Sequence, residues 1–254
     1  MKKLLVLYVF HIFNNRVKHF IDNCIFYDEN VDFIIISNQN SGCPNPDFNG
    51  FTTENNIRVE VPDFVKILYR ENIGFDFGGW SDALLINDLY KNYDNFIFVN
   101  SSVYGPFIPS DFSGKWTDKY IDGLQNNVKL FGSTINTICC PLYKSHVQSY
   151  IFAMNKETLQ YLIDCGIFSI TDYVKTFEDA VWNREVLMSR KIIENGWNIG
   201  SLFSFYKDVD FTFKEKKPEQ YDFPFLDDIM APNYRNVLWN DLEVVFIKGN
   251  RMGL

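Results

Sequence analysis

Positive charge is in short supply. The chain of 254 residues carries 24 Lys and Arg against 32 Asp and Glu, a formal net charge of −8. Such a chain repels a polyphosphate backbone, which excludes nucleic acid as the main partner and leaves room only for a local cationic site on one phosphorylated small molecule. Histidine is scarcer, with three residues, so a tris-histidine metal site would need His11, His19 and His146 to meet. The five cysteines are odd in number, and their spacing fits neither a zinc site nor a redox pair; free thiols in a reducing compartment follow. No apolar run approaches the roughly 20 residues of a membrane-spanning helix. The opening MKKLLVLYVFHIF has the charged and apolar parts of a signal peptide, but no small-residue cleavage site follows, so it reads as a buried first strand. These absences predict a cytoplasmic protein, or one peripheral to a membrane, with no transmembrane segment. There is also no P-loop GKS or GKT and no GxGxxG fingerprint.

What is present suits a folded core: 46% hydrophobic residues, with 25 Phe and 14 Tyr. A continuous apolar run at Lys3 to Phe10 predicts a buried parallel strand, and Val31 to Asn38, Phe64 to Arg70 and Asn95 to Asn100 read as further strands. Helical spacing from Asn14 to Phe26 and from Trp80 to Tyr90 falls between them. The alternation predicts an α/β fold with a mixed, mostly parallel sheet flanked by helices, and ligands at the carboxyl ends of its strands. Further on, Asn155 caps a helix over Glu157 to Ile163, and Phe177 to Glu194 reads as one long amphipathic helix stopped by Asn195-Gly196. SNQNSGCPNPDFNG and KEKKPEQYDFPFLDD read as exposed loops, and LEVVFIK as a last strand or short buried segment. No linker divides the chain, so one domain is the simplest reading.

Two strand ends carry candidate chemistry. In YRENIGFDFGGWSDAL, Gly74, Gly78 and Gly79 lie between a strand and a helix expected to start near Gly79. Glycines there let a backbone approach a ligand closely, and a helix N-terminus favours an anion. Arg70 offers a planar fork for phosphate, and Asp76 an acceptor for hydroxyls or a base. In FVNSSVYGPF, the small polar side chains Asn100, Ser101 and Ser102 emerge from a buried strand into the same crevice, as ligand contacts or as turn caps.

RENIGFDFGGW, followed by FIFVNSSVYGPFIP, then VKLFGSTIN, HVQSYIFAMNKETLQYL, REVLMSRKIIENGWNIGSL and EVVFIKGNR, resembles the rhamnan synthesis protein F-like glycosyltransferases over residues 3 to 251. The resemblance implies a GT-A (Rossmann-like) fold. It implies a UDP-, dTDP- or GDP-sugar donor and a glycan acceptor. The nucleotide-sugar half would be about 1–135 and the acceptor and catalytic half about 136–254. It puts Arg70, Asn72, Gly74 and Asp76 on the donor side. Where GT-A enzymes hold a divalent metal with Asp-x-Asp, this chain has Asn100-Ser101-Ser102, which puts Mn²⁺ or Mg²⁺ dependence in question. Asp208-Val209-Asp210 has the formal pattern but falls much later, in an expected loop.

For the catalytic base the resemblance aligns Glu185, in EVLMS, and sets Asp179 against the Glu-Asp pair of other GT-A enzymes; both equally suit a solvated helix face. Acceptor contacts fall to His146 and Gln148, which alternation points to one side of a strand, and to Trp182, whose indole would stack on a sugar or pack in the core. The leading expectation is transfer of a hexose or deoxyhexose, L-rhamnose among them, to a glycan hydroxyl. A non-catalytic glycan- or partner-binding protein on the same fold is the alternative. A nucleotidyltransferase is a third reading, and it needs a carboxylate pair the sequence does not place.

Overall fold

Every side chain of β1 (Leu4–Phe10) is buried. Neighbours along a strand point to opposite faces, so both faces of this strand are covered. The computed structural model describes residues 3–39, 49–52, 58–137, 145–221, 233–234, 237–238 and 241–249. After β1 come α1 (Asn15–Cys24), β2 (Val31–Ser37), the short pair β3 (Gly50–Thr52) and β4 (Arg58–Glu60), β5 (Lys66–Tyr69), α2 (Phe75–Leu85), β6 (Asn95–Asn100) and β7 (Val103–Tyr104). Then follow α3 (Trp116–Ile121), β8 (Val128–Gly132), β9 (Ile135–Asn136), β10 (His146–Val147), β11 (Ile151–Asn155) and α4 (Lys156–Asp164). The rest comprises α5 (Phe177–Ala180), a π-helical turn Val181–Val186, α6 (Leu187–Glu194), β12 (Asn198–Ser201), β13 (Asn233–Tyr234), β14 (Val237–Leu238), α7 (Asp241–Val244) and β15 (Ile247–Lys248).

The central sheet has the order β12-β8-β11-β6-β1-β2-β5. The pairs β1–β2, β1–β6, β2–β5 and β8–β12 are parallel, while β11 runs antiparallel to both neighbours. This is the mixed, mostly parallel α/β sheet that the strand–helix alternation predicts. Leu5, Leu7 and Val9 of β1 face one core, with Trp80 and Leu84 of α2 and Met188 and Ile192 of α6. Val6, Tyr8 and Phe10 face the other, with Val17 and Phe20 of α1 and Trp116 and Tyr120 of α3. The chain winds from β1 outward to β2 and β5, then returns across the sheet to β6 on the other side of β1. The resulting switch point between β1 and β6 opens a crevice at their carboxyl ends.

Several expectations shift. The helix expected over Trp80 to Tyr90 begins at Phe75 and ends at Leu85, and Asn87 and Asp88 adopt left-handed conformations beyond it. Gly78 and Gly79 therefore lie inside α2. They are small because a Cβ on Gly78 would come within 2.1 Å of the Ile73 carbonyl and one on Gly79 within 3.0 Å of Val9. The expected helix Phe177 to Glu194 has the right bounds but is interrupted by the π turn. Asn155 caps its helix as expected, accepting from Thr158 N. Of the two expected loops, residues 40–48 and 222–228 lie outside the described residues, as do Cys43, Cys139, Cys140 and Arg251.

Candidate functional site

At the switch point lies a cleft of about 360 Å³, lined by the ends of β1 and β6, the first turn of α2, the start of β11, the π turn and Lys248. Asn100 organises one wall. Its Nδ2 donates to Asp76 Oδ2 at 2.9 Å, and its Oδ1 accepts from Ser102 N at 3.0 Å and Ser102 Oγ at 2.5 Å. This side-chain turn holds Ser101 and Ser102 at the mouth. Arg16 Nε donates to the Ser101 carbonyl at 3.1 Å.

Asp76 sits in the first turn of α2, where the helix dipole favours its charge. Burial outweighs that and pushes its carboxyl up to about 6; the Asn100 amide opposes the shift, the charge of Glu185 adds to it, and His11 opposes it. Glu185 lines the opposite wall from the π turn, a device that recurs at functional sites because one extra residue re-aims a side chain. Its side chain is 14% exposed, and its Oε1 accepts from Ser149 N at 2.8 Å and lies 4.0 Å from His146 Nε2. Lys248 arrives from far along the chain: β15 pairs antiparallel with β7, and Gly249 N donates to the Ser102 carbonyl at 2.8 Å. Its Nζ stands 6.0 Å from the centre of the Tyr150 ring.

The cleft thus brings together Asn72, Asp76, Asn100, Ser101, Ser102 and Glu185 of the sequence-predicted residues. Others go elsewhere. Arg70 does not line the cleft: its Nε donates to Asp82 Oδ2 at 2.7 Å, Nη1 to Asn38 Oδ1 at 2.9 Å and Nη2 to the Ile73 carbonyl at 2.7 Å. With its side chain 9% exposed, it is a brace for the turn before α2. Gly74 caps α2 with φ of 75°, which a side chain rarely adopts. It lines a neighbouring cavity rather than this cleft. Asp179 is spent in helix capping, accepting from Thr176 Oγ1 at 2.7 Å and Asn183 Nδ2 at 3.1 Å. Gln148 is buried, its Oε1 accepting from Thr134 Oγ1 at 2.6 Å. His146 is buried behind Glu185, and Trp182, 39% exposed, lies outside the lining. The core needs these inward positions filled, and alternation alone does not tell a core-facing side from a cleft-facing one.

Sequence reasoning missed His11, Tyr150, Phe177 and Lys248 as cleft residues. Lys248 carried one signal, its place at the end of an apolar segment expected as a strand, but nothing local names the partner of that strand. Asp208 and Asp210 follow the 3₁₀ turn Ser204–Tyr206 in a loop, as expected, and Asp210 Oδ1 accepts from Thr212 N at 2.9 Å.

A model of the rhamnan synthesis protein F family matches residues 51–224. The chain belongs to that family. No curated protein matches it. Among solved structures it is similar to the apo-form glycosyltransferase GlyE of Streptococcus pneumoniae TIGR4, at 14% identity and a TM-score of 0.39, over 96% of this chain and 59% of that one. The chain spans less than two thirds of that structure's length. Among the described residues no helix is long and apolar enough to cross a membrane.

Proposed function

We propose that the protein is a glycosyltransferase that moves a sugar from a nucleotide-diphosphate donor, UDP-, dTDP- or GDP-linked, to a hydroxyl of a glycan acceptor. Membership of the rhamnan synthesis protein F family favours L-rhamnose or another hexose as the sugar. The observation that carries the proposal is the meeting of a fixed carboxylate, Glu185, a hydroxyl and amide set, Asn100 to Ser102, and a cation, Lys248, in one cleft at the β1–β6 switch point. In the inverting form of the reaction the acceptor oxygen attacks the anomeric carbon. The carbon–oxygen bond to the diphosphate breaks with its electron pair going to the diphosphate, and Glu185 takes the acceptor proton. Ser149 N–H holds one oxygen of Glu185, fixing the carboxylate in the cleft wall. Lys248 and the Ser101 hydroxyl meet the charge growing on the leaving diphosphate, while the Ser102 hydroxyl stays on Asn100. Residues 1–135 then supply most of the donor wall and 136–254 the base and the cation.

The residues at the strand end fit a divalent metal clamp poorly. Asn100 and the two serines carry no carboxylate, and the Asn100 carbonyl is already taken by Ser102. Among the described residues no three His, Cys, Asp or Glu side chains gather as metal ligands. No step here runs through Mn²⁺ or Mg²⁺.

A thermal-shift panel with UDP, GDP, dTDP, CMP and ATP, each in Mn²⁺ and in EDTA, tests the proposal. One nucleoside diphosphate should raise the melting temperature, and the shift should survive EDTA. No shift with any nucleotide would sink the transferase reading and favour a non-catalytic binding protein on the same fold.

A further inference from the structure

A second cavity of about 570 Å³ adjoins the cleft and shares Asn72 and Phe75 with it. One side is the turn before α2, and the other is the segment Thr171 to Lys175. Phe75, the residue between the two spaces, adopts φ of 55°. A bulky side chain in that left-handed region is uncommon and is held there by its surroundings. Its ring lies 6.4 Å from that of Phe177, at 74°. Phe177 is 72% exposed, and Ile73, which lines the second cavity, is also exposed.

We infer that this second cavity is the saccharide subsite of the acceptor, with Phe75 and Phe177 as the platform over which the acceptor reaches the cleft; this rests on the transferase reading. The lining supports a sugar in particular. An amide (Asn72), a hydroxyl (Thr171), a carboxylate (Asp172) and an ammonium (Lys175) stand around apolar and aromatic side chains. Ring hydroxyls need donors and acceptors together, while the C–H face of a pyranose needs an apolar surface. The far wall is tied to the base. Arg184, buried next to Glu185 in the π turn, donates through Nη2 to the Asp172 carbonyl at 2.7 Å and to Asp172 Oδ2 at 3.3 Å. A saccharide seated against Thr171 to Lys175 is therefore held at a fixed offset from Glu185. The subsite replaces His146 and Gln148, both turned into the core, as the acceptor-binding surface.

The test is saturation-transfer NMR with methyl α-L-rhamnopyranoside, methyl α-D-glucopyranoside and methyl β-D-galactopyranoside, with and without a saturating nucleoside diphosphate. At least one glycoside should give a signal that persists when the cleft holds nucleotide. Thr171→Trp or Lys175→Trp, both at exposed positions, should abolish that signal while leaving the nucleotide thermal shift unchanged. A signal unaffected by both variants overturns the inference, as does the absence of any glycoside signal on protein that binds nucleotide. A glycoside signal lost in both variants, on protein that binds no nucleotide, overturns the transferase reading and retains the saccharide site.

Discussion

Two polar clusters flank the start of α2 and treat their charges in opposite ways. Around Arg70, the guanidinium has Asp82, Asn38 and the Ile73 carbonyl as partners, and Tyr173 donates its hydroxyl to the second oxygen of Asp82 at 2.6 Å. Burial and Asp82 push the Tyr173 hydroxyl up to about 12, so it remains a donor at every working pH. Around Asp76, one amide supports a carboxylate that faces a second carboxylate, and its pKa climbs to about 6. The first cluster compensates its charges and so fixes geometry. The second leaves charge under-compensated beside open space, which is where a ligand gains most by binding.

The largest expected effect separates chemistry from scaffold. Glu185→Gln keeps an acceptor for Ser149 N–H, so the fold and nucleotide binding should hold while turnover falls by roughly 10²–10⁴-fold; equal losses in binding and turnover would remove Glu185 from the base role. Next comes the brace. Arg70→Leu leaves the part-buried Asp82 carboxylate with the Tyr173 hydroxyl but without its cation and should cost about 3 kcal/mol in chemical denaturation. A stable Arg70→Leu variant that has lost only donor affinity would instead return Arg70 to the phosphate site.

Asp76→Asn should act in the opposite direction on stability. Because the folded-state pKa of Asp76 lies above the ordinary 3.8, folding becomes less favourable as pH rises from about 4 to about 6, and the penalty persists above that window. The variant should therefore be more stable than the parent at pH 7 by up to about 3 kcal/mol, with no gain at pH 3. A melting-temperature series across that range checks the sign. The smallest effect belongs to Lys248→Met, expected to weaken nucleoside-diphosphate affinity about tenfold by calorimetry without moving the melting temperature.

Much of this contrast was legible before the fold. The apolar runs placed β1, β2 and β6 closely and the 3.6-residue spacing placed α1, because both faces of the sheet and one face of the helix are covered in apolar residues. The grouping of Asn100 to Ser102 with Asp76 at one cleft also followed from local pattern and resemblance. Arg70 did not, because sequence shows a cation next to a glycine turn but not Asp82 folding back onto it from the next helical turns. Gly78 and Gly79 resemble loop glycines until the helix is seen to press against Val9 and Ile73. Lys248 was beyond local reading because its position depends on β15 finding β7, a pairing of high sequence separation.

That last pairing has a consequence for the timing of synthesis. A ribosome releases β1, β6 and the Asn100 turn long before the residues around Lys248 exist, and domains begin to fold from the N-terminal side as they emerge. The nascent chain can assemble most of the sheet, yet the cleft lacks its cation until β15 docks on β7. The Lys248 wall thus joins the cleft only after most of the sheet exists, and partial chains stalled before β15 carry the fold's centre without that wall.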